Sequence, residues 1–265
     1  MEYTQILKTV EAIARQAGEI LKDYYKQAGG YTLKGEIDIV TEADSASERV
    51  ILDALQQSYP DYGIVAEEGG LYHPGRGASD YYWYVDPLDG TINFAHGFPH
   101  FGVSIALAGI DRVPVLGLIY DPLRDECFSS YRGGGAFLNG VKLRVSKTKT
   151  LISALVATGF PYDRRTSPDN NIKEADAVLM NVQNLLRTGS AALDMAYVAS
   201  GRLDGFWEKK LQLWDCLAGI VLIEEAGGKV TDFKDQPNQV YQKRPQLLAT
   251  NGLIHEELRK VLHPV

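Results

Sequence analysis

Apolar residues in the first 25 positions recur at steps of three and four, which predicts an amphipathic helix ending before Gly29-Gly30. Residues 32–40 mix glycine with alternating charge, a pattern typical of an exposed hairpin or a mobile loop. Thr41 then opens a second helical pattern that reaches Tyr59-Pro60. Shorter β-branched and aromatic runs follow and predict strands. These runs occupy residues 63–66, 81–85 and 101–120, the last divided by a turn, and Asn139-Gly140 marks a later hairpin.

A polar link at residues 146–150 introduces a second half in which strands and helices alternate. Strands are predicted at residues 151–160, 203–208, 229–233 and 246–250, and helices at residues 170–186, 189–201, 213–226 and 253–262. This alternation predicts a layered α/β (α+β) arrangement, with strands outside and helices between them. We expect residues 1–148 and 149–265 to form two subdomains of one compact unit.

Composition narrows the function classes. The chain has 265 residues, 45% of them apolar, and a formal net charge of −7 without any basic run, which argues against nucleic acid as the main partner. No signal peptide and no membrane-spanning stretch are predicted, so we expect a cytoplasmic protein. Cys127 and Cys216 are far apart and form no metal-binding pair, so both are interpreted as small core residues in a reducing compartment.

The segment Tyr81-Tyr82-Trp83-Tyr84-Val85-Asp86-Pro87-Leu88-Asp89-Gly90-Thr91 carries the strongest chemical signal. Pro87 cannot extend a strand ladder, so the strand is expected to end at Asp86. Gly90 permits close backbone approach, and Thr91 is suited to cap a helix beginning near Ile92. Asp86 and Asp89 could then converge on one hard cation, with backbone N–H groups of residues 90 and 91 facing an anion. The alternative is an Asx-type turn followed by a capped helix.

Further acidic residues sit at the ends of predicted elements. Glu67-Glu68 follows the strand at residues 63–66, and two such strand ends side by side would form a pocket of several carboxylates. An exposed acidic turn is the alternative for this pair. Asp44 follows Thr41 at capping-box spacing, and Asp215 has the position of an N-cap, so ordinary capping explains either residue equally well.

Three other motifs carry weaker signals for ligand binding. His96 and His100 are four residues apart, but Gly97 and Pro99 between them argue against a helical metal pair. The glycines at residues 133–135 lack the Lys-Ser/Thr and the helix of a phosphate-binding loop. The helix start at Gly189-Ser190-Ala191 offers backbone donors to an anion or a polyol, although most such starts are only caps.

Taken together, several segments resemble the inositol monophosphatase family, the magnesium-dependent and lithium-sensitive phosphatases related to fructose-1,6-bisphosphatase. The resemblance rests on Glu67-Glu68, on residues 86–94 (DPLDGTINF) and on residues 214–219 (WDCLAG), in the family's order along the chain. It implies a five-layered αβαβα sandwich of the sugar-phosphatase type and a homodimer.

The resemblance also implies a site. The metal ligands would be Glu67, Asp86, Asp89, Asp215 and the Leu88 carbonyl, an all-oxygen set suited to about two or three Mg²⁺ ions. Mn²⁺ would substitute, and Li⁺ and Ca²⁺ would inhibit. The loop at residues 34–38 would close over the metals.

The implied reaction is phosphomonoester hydrolysis by metal-activated water, without a phosphoenzyme. Glu67 would help activate the water, and Thr91, polarised by Asp44, would help deprotonate it. The backbone N–H groups of Gly90 and Thr91 would hold the phosphate, and Asp89 would also be among the substrate-binding residues. The substrate's hydroxyl groups would contact the residues that match the family's alcohol subsite: Gly189, Ser190, Ala191, Glu208 and Asp215.

The residues after the D-G-T motif bear on the choice of substrate. Relatives that cleave 3′-phosphoadenosine 5′-phosphate usually carry Lys-Glu where this chain has Ile92-Asn93, which favours inositol monophosphate. NADP, fructose 1,6-bisphosphate and other sugar or nucleotide phosphates are alternatives. A regulatory binding protein, acting with RNA polymerase or in ribosomal assembly as some bacterial relatives do, is the competing function.

Overall fold

The computed structural model describes residues 2–27, 32–33, 39–72 and 79–262. Its helices are α1 Tyr3–Gln27, α2 Glu42–Ser58, α3 Thr91–Ala95, α4 Ile172–Leu179, α5 Ala191–Ala199, α6 Leu213–Glu225 and α7 His255–Leu262. Its strands are β1 Thr32–Leu33, β2 Ile39–Val40, β3 Gly63–Ala66, β4 Gly70–Tyr72, β5 Tyr81–Asp89, β6 Gly102–Gly109, β7 Pro114–Asp121, β8 Glu126–Tyr131, β9 Gly135–Leu138, β10 Val141–Lys142, β11 Leu155–Thr158, β12 Asn184–Leu186, β13 Gly205–Lys209, β14 Lys229–Thr231 and β15 Gln246–Thr250. Two short 3₁₀ helices span Leu151–Ser153 and Pro237–Tyr241.

Two sheets organise the fold. The larger has eight strands in the order β10-β9-β8-β7-β6-β5-β3-β4, and the smaller has five in the order β12-β11-β13-β15-β14. In the larger sheet β3 runs parallel to β5, and the other pairs are antiparallel. In the smaller sheet β11 runs parallel to both β12 and β13, while β15 pairs antiparallel with β13 and β14. The short strands β1 and β2 form a separate antiparallel pair.

Helices and sheets alternate in five layers, the αβαβα sandwich that the family resemblance implies. Helices α1 and α2 cover one face of the larger sheet, α5 and α6 lie between the sheets, and α4 and α7 cover the outer face of the smaller sheet. The expectation of strands outside and helices between them was wrong. Strand β6 is buried on both faces from Gly102 to Ala108, and a strand without a polar face requires a covering layer on each side.

The central helix α6 explains why the sheets pack so closely. Its residues from Cys216 to Ile223 are all buried, so no face of the helix meets solvent. On the larger sheet it contacts Gly117 of β7, where a Cβ atom would stand 2.6 Å from the carbonyl oxygen of Ala218. This close approach brings the start of α6 to the same edge of the larger sheet as the end of β5.

Several local predictions are confirmed. Residues 101–120 form β6 and β7, the Asn139-Gly140 turn joins β9 to β10, and Cys127 and Cys216 are buried. Two element assignments were wrong. The expected strand at residues 151–160 is a 3₁₀ turn followed by β11, and the expected helix at residues 170–186 stops at Leu179 and gives way to edge strand β12.

The cause of the second error is a tertiary contact. Residues 184–186 pair with β11 in parallel, and this pairing outweighs their helical periodicity. The division into residues 1–148 and 149–265 stays a prediction, although the strands of each sheet come from one side of it.

Candidate active site

Strand β5 ends in the feature that organises the site. The strand does not stop at Asp86 as expected but continues to Asp89, because its pairing with β6 shifts register between these residues. The irregularity accommodates Pro87, which has no N–H group for the ladder. Leu88 N–H donates to Asp86 Oδ1 at 3.0 Å, so the Asx-type turn is present. Both acids of the motif therefore lie at the C-terminal end of β5, and Asp86 is buried.

Gly90 begins the short helix α3. Its φ of +96° lies in the left-handed region, and a Cβ atom there would stand 3.0 Å from the carbonyl oxygen of His100, so glycine is required twice over. The prediction that Thr91 caps this helix was wrong, because Gly90 is the N-cap and Thr91 is the first helical residue. The Thr91 hydroxyl is thereby free to make tertiary contacts.

Asp44 reaches the site through that hydroxyl. Thr91 Oγ1 lies 3.2 Å from Asp44 Oδ1 and 3.0 Å from the Leu88 carbonyl oxygen, and its single proton serves one of them at a time. Asp44 Oδ2 accepts hydrogen bonds from Thr41 N–H at 2.8 Å and from Thr41 Oγ1 at 2.6 Å, which confirms the capping box. Asp44 is thus both a helix cap and a buried contact of Thr91.

Glu67 comes from the neighbouring strand. Its N–H donates to the Val85 carbonyl at 3.1 Å, which extends the parallel pairing of β3 with β5 and brings Glu67 beside the end of β5. The predicted juxtaposition of two acid-bearing strand ends is confirmed. Glu68 follows Glu67 but does not line the cleft that contains Glu67; its N–H donates to Glu48 Oε2 at 2.9 Å.

The second half of the chain contributes two helix starts. The expectation that Asp215 is the N-cap of α6 was wrong, because Gln212 is the N-cap. Asp215 is the third residue of the helix, and its Oδ2 atom accepts a hydrogen bond from the Gln212 N–H group at 2.7 Å. Asp89 Oδ2 accepts from Ser190 Oγ at 2.5 Å and from Ala192 N–H at 2.7 Å. Ser190 caps α5, as predicted, so Asp89 ties the end of β5 to that helix.

These elements surround one cleft that opens to solvent. The predicted residues that line it are Glu67, Asp86, Leu88, Asp89, Gly90, Thr91, Gly189, Ser190, Ala191, Glu208 and Asp215. Asp44 does not line the cleft but contacts Thr91, which does. The loop predicted at residues 34–38 lies outside the described residues.

Electrostatics show how close the acids are. Burial raises the pKa of Asp86 well above its ordinary value, and the charges of Glu67, Asp89 and Asp215 raise it further. Burial and the charges of Asp89 and Glu67 likewise raise the pKa of Asp215. Burial also raises the pKa of Asp89, although hydrogen bonds from Ser190 and Ala192 oppose the rise. Because the charges of these carboxylates raise one another's pKa values, a bound cation would relieve their repulsion.

The donor chemistry of the site fits a hard divalent cation. Carboxylates and the Leu88 carbonyl supply oxygen alone, which suits magnesium better than zinc or copper. Within the described residues, however, no three His, Cys, Asp or Glu side chains form a ready-made cage. One oxygen each of Asp86, Asp89 and Asp215 is held by a backbone N–H. Binding would therefore use the remaining carboxylate oxygens or a turn of these side chains.

The substrate side of the cleft holds the half-buried carboxyl group of Glu208. Glu208 belongs to β13 and packs on Gly159, where a Cβ atom would stand 2.1 Å from the Glu208 carboxylate. Burial raises the pKa of Glu208 to about 8; the charge of Arg187 opposes the rise and that of Asp89 adds to it. Near neutral pH this group can both donate and accept hydrogen bonds.

Sequence reasoning did not single out Gly159, Arg187 and Asp194, which also line the cleft. Asp194 is fully buried in the first turn of α5, where Thr188 Oγ1 donates to its Oδ2 at 2.7 Å, and burial raises its pKa. Its Oδ1 has no hydrogen-bond partner among the described residues. The sequence does contain a signal for Asp194, because it is the one acidic residue in the otherwise largely apolar segment at residues 191–199.

His100 and the glycines at residues 133–135 have structural roles. The pKa of the buried His100 ring is lowered to about 4 by desolvation, and the backbone carbonyl of His100 accepts from Asn93 Nδ2 at 2.8 Å. The Gly133 and Gly135 N–H groups both donate to the Glu225 carboxylate at 2.8 Å. Across the described segments, every helix is too short or too polar to cross a bilayer.

Comparison with known proteins shows the family of the chain. The model of the inositol monophosphatase family matches residues 2–265. An inositol-1-monophosphatase of Rhizobium meliloti is 43% identical over 257 residues, which cover 97% of this chain and 92% of that protein. A Nus factor SuhB of Haemophilus influenzae is 42% identical over 250 residues, which cover 94% of this chain and 92% of that protein.

The solved structure of an inositol monophosphatase from Anabaena (Nostoc) superposes with a TM-score of 0.89 at 42% identity, over 100% of this chain and 98% of that one. The family model and the solved structure both match along nearly the whole length of the chain. The chain therefore belongs to the inositol monophosphatase family.

Proposed function

We propose that this protein is a magnesium-dependent phosphomonoesterase that hydrolyses inositol monophosphate to inositol and phosphate. The observation that carries the proposal is the gathering of Glu67, Asp86, Asp89 and Asp215 from both halves of the chain into one cleft. Relatives of more than 40% identity named inositol-1-monophosphatase support the same activity.

The metal would be held by those four carboxylates and the Leu88 carbonyl. When bound, Mg²⁺ would lower the pKa of a water molecule and offset the charge of the phosphate and the leaving alkoxide. Mn²⁺ would replace it, whereas Li⁺ and Ca²⁺ would inhibit. All other steps fall to residues of the chain.

Thr91 would orient the attacking water. Its proton is directed to Asp44 or to the Leu88 carbonyl, so its oxygen presents a lone pair to the cleft and can accept a hydrogen bond from the water. Glu67 would assist in taking up the water's proton. The backbone N–H groups of Gly90 and Thr91 would hold the phosphate oxygens at the start of α3.

The inositol ring would lie between the start of α5 and β13. Gly189, with a φ of +97°, brings the backbone of Ser190 and Ala191 to the cleft without an intervening side chain. Glu208 would bind a ring hydroxyl, and its pKa near 8 lets it serve as donor or acceptor. Asp215 would contact the same ring from the start of α6.

The test is a substrate panel. Phosphate release is measured for inositol 1-phosphate, NADP, fructose 1,6-bisphosphate and 3′-phosphoadenosine 5′-phosphate, with magnesium, with manganese and with lithium added. We expect inositol 1-phosphate to be hydrolysed in a metal-dependent, lithium-inhibited manner. No phosphate release from any substrate under these conditions would overturn the proposal.

A second candidate is a role in transcription complexes, which the similarity to relatives named Nus factor SuhB favours. A pull-down with the full chain distinguishes the two, since stoichiometric recovery of RNA polymerase would support this role. Chromatography with light scattering would test the homodimer that the family resemblance implies.

A further inference from the structure

Asn93 joins two sides of the cleft without lining it. It belongs to α3, and its side-chain nitrogen donates to the Thr188 carbonyl at 2.9 Å and to the His100 carbonyl at 2.8 Å. A side-chain amide has two N–H groups, so both are used. Because both neighbours are carbonyl oxygens, the nitrogen and not the oxygen of the amide must face them. Asn93 therefore ties the segment before α5 to α3.

The segment before α5 leaves no room for a side chain beside Asn93. Gly189 has a φ of +97°, and a Cβ atom there would stand 2.8 Å from Asn93 Nδ2 and 2.9 Å from Asn93 Oδ1. Glycine lets the backbone approach the amide this closely. The position of the Asn93 amide thus bears directly on the backbone of residues 188 and 189.

The hydrogen bond from Asn93 also sets the direction of a backbone donor. The described peptide bonds are trans, and in a planar trans peptide the N–H group points opposite to the C=O group. Because the Thr188 carbonyl is held towards Asn93, the Gly189 N–H group is turned away from Asn93. Of these three residues, Gly189 lines the cleft. Within the described segments its N–H group has no hydrogen-bond acceptor, so it is available to a ligand.

Asp89 anchors the same segment at a different place. Its Oδ2 atom accepts from Ser190 Oγ at 2.5 Å and from Ala192 N–H at 2.7 Å. These bonds hold the first turn of α5, whereas the bond from Asn93 holds the peptide that precedes Gly189. Asp89 is also a proposed metal ligand. Asn93 is not, so it can be changed while every proposed ligand of the metal is kept.

The hydroxyl groups of a polyol accept as well as donate hydrogen bonds, so they suit a free N–H donor. We propose that Asn93 is a positioning residue for the alcohol subsite: it holds the Thr188 carbonyl so that the Gly189 N–H group donates to a hydroxyl group of the polyol. Loss of the bond would let this peptide rotate and would weaken binding of the alcohol portion. The inference rests on the proposed function, because it takes inositol monophosphate as the substrate.

The phosphate end of the cleft should be independent of this bond. Helix α3 keeps its backbone hydrogen bonds when the side chain of Asn93 is changed. Phe94 N–H donates to the Gly90 carbonyl at 3.0 Å, and Phe98 N–H donates to the Asn93 backbone carbonyl at 2.8 Å. The buried Phe94 ring also packs edge-on against Phe101. A variant of Asn93 should therefore impair binding of the alcohol and spare binding of the phosphate.

Kinetics with two probes test the inference. KM and kcat are measured for inositol 1-phosphate with magnesium, and inorganic phosphate is titrated as a competitive inhibitor that occupies the phosphate end alone. For Asn93→Ala we expect KM to rise about tenfold, the loss typical of one hydrogen bond. The kcat and the inhibition constant of phosphate should each stay within about twofold of wild type. Asn93→Asp keeps the shape but cannot donate to either carbonyl, so it should raise KM at least as much.

Asn181→Ala is the matched control. Asn181 is exposed, and its side-chain amide also donates to a backbone carbonyl, that of Ala177 at 2.8 Å. Neither of these two residues lines the cleft. KM, kcat and the inhibition constant of phosphate should all keep their wild-type values in this variant.

The results that would contradict the inference are distinct. An unchanged KM in Asn93→Ala, or a phosphate inhibition constant that rises in parallel with KM, overturns the positioning role and leaves the proposed function standing. Failure of both Asn93 variants to fold, seen as loss of cooperative urea unfolding, would show that Asn93 supports the fold and would also overturn the role. Absence of hydrolysis by the wild type overturns the proposed function and the inference with it.

Discussion

Replacing Asp89 with asparagine separates the chemistry of the site from its structural role. Asp89 Oδ2 accepts from Ser190 Oγ at 2.5 Å and from Ala192 N–H at 2.7 Å. The amide oxygen of asparagine can accept both hydrogen bonds in the same place, with the NH₂ group at the position of Oδ1. Asp89→Asn therefore keeps the link between β5 and α5 and removes one negative charge.

The expected stability change is a difference between two small effects. Each hydrogen bond loses its charge assistance, which costs about 1 kcal/mol per bond. Removing the charge also relieves repulsion: the pKa values of Asp86 and Asp215 are raised by burial and by Asp89. We expect the free energy of unfolding without metal to stay within about 1 kcal/mol of wild type.

The effect on activity should be much larger. Substituting a residue that only supports a metal ligand typically costs about 10- to 100-fold, so loss of a proposed ligand should lower kcat/KM for inositol 1-phosphate by more than about 100-fold. Urea unfolding and phosphate release are measured on the same preparation. Asp176→Asn, the same change at an exposed position of α4, is the control and should retain full activity.

Two results would refute the reasoning. Wild-type turnover by Asp89→Asn with magnesium would remove Asp89 from the metal site. A large loss of stability would show that the charge on Asp89, and not only its hydrogen-bonding shape, holds the start of α5 in place.

Three further predictions concern packing and pH. Gly159→Ala should raise KM for inositol 1-phosphate about tenfold with kcat nearly unchanged, because the new Cβ displaces the Glu208 carboxylate; an unchanged KM would exclude Glu208 from substrate binding. Asn171→Ala should lower the free energy of unfolding by about 3 kcal/mol in urea titrations, since buried Trp207 Nε1 loses its acceptor at 2.9 Å; a loss below about 1 kcal/mol would contradict this. Burial lowers the pKa of His255 from 6.5 to about 4, so the unfolded chain binds the extra proton first and stability falls as pH drops from 6.5 towards 4. Between pH 7 and pH 5 this contribution is about 2 kcal/mol, and His255→Gln should reduce the pH dependence by that amount; equal slopes for both proteins would contradict the assignment.

Local signals predicted much of the fold and of the acid set. Aromatic and β-branched runs located β3, β5, β6 and β7, because a strand buried on its faces needs such residues wherever it lies. The spacing of Thr41 and Asp44 predicted a capping box that the structure contains. The acids at the ends of β3 and β5 were also foreseeable, since parallel neighbouring strands end at the same edge.

The errors share one cause. Strand β5 continues past Pro87, and residues 184–186 form an edge strand, because pairing with distant segments supplies hydrogen bonds that local propensity does not register. Gln212 rather than Asp215 caps α6, and Gly90 rather than Thr91 caps α3. In each case the side chain expected to cap the helix makes another hydrogen bond: Asp215 accepts from the Gln212 N–H group, and the Thr91 hydroxyl contacts Asp44 and the Leu88 carbonyl.

The sequence by itself determined which segments are apolar enough to be buried, where strands end in acids, and which residues have the chemistry to bind a cation. Only the tertiary structure decided that Asp89 meets Ser190 from a helix about a hundred positions away. The physical reason is the distance along the sequence over which each effect acts. Backbone preference and apolar periodicity act between residues that are near neighbours in the sequence. The electrostatics of a cleft depend instead on distances that exist only after the two sheets have packed around α6.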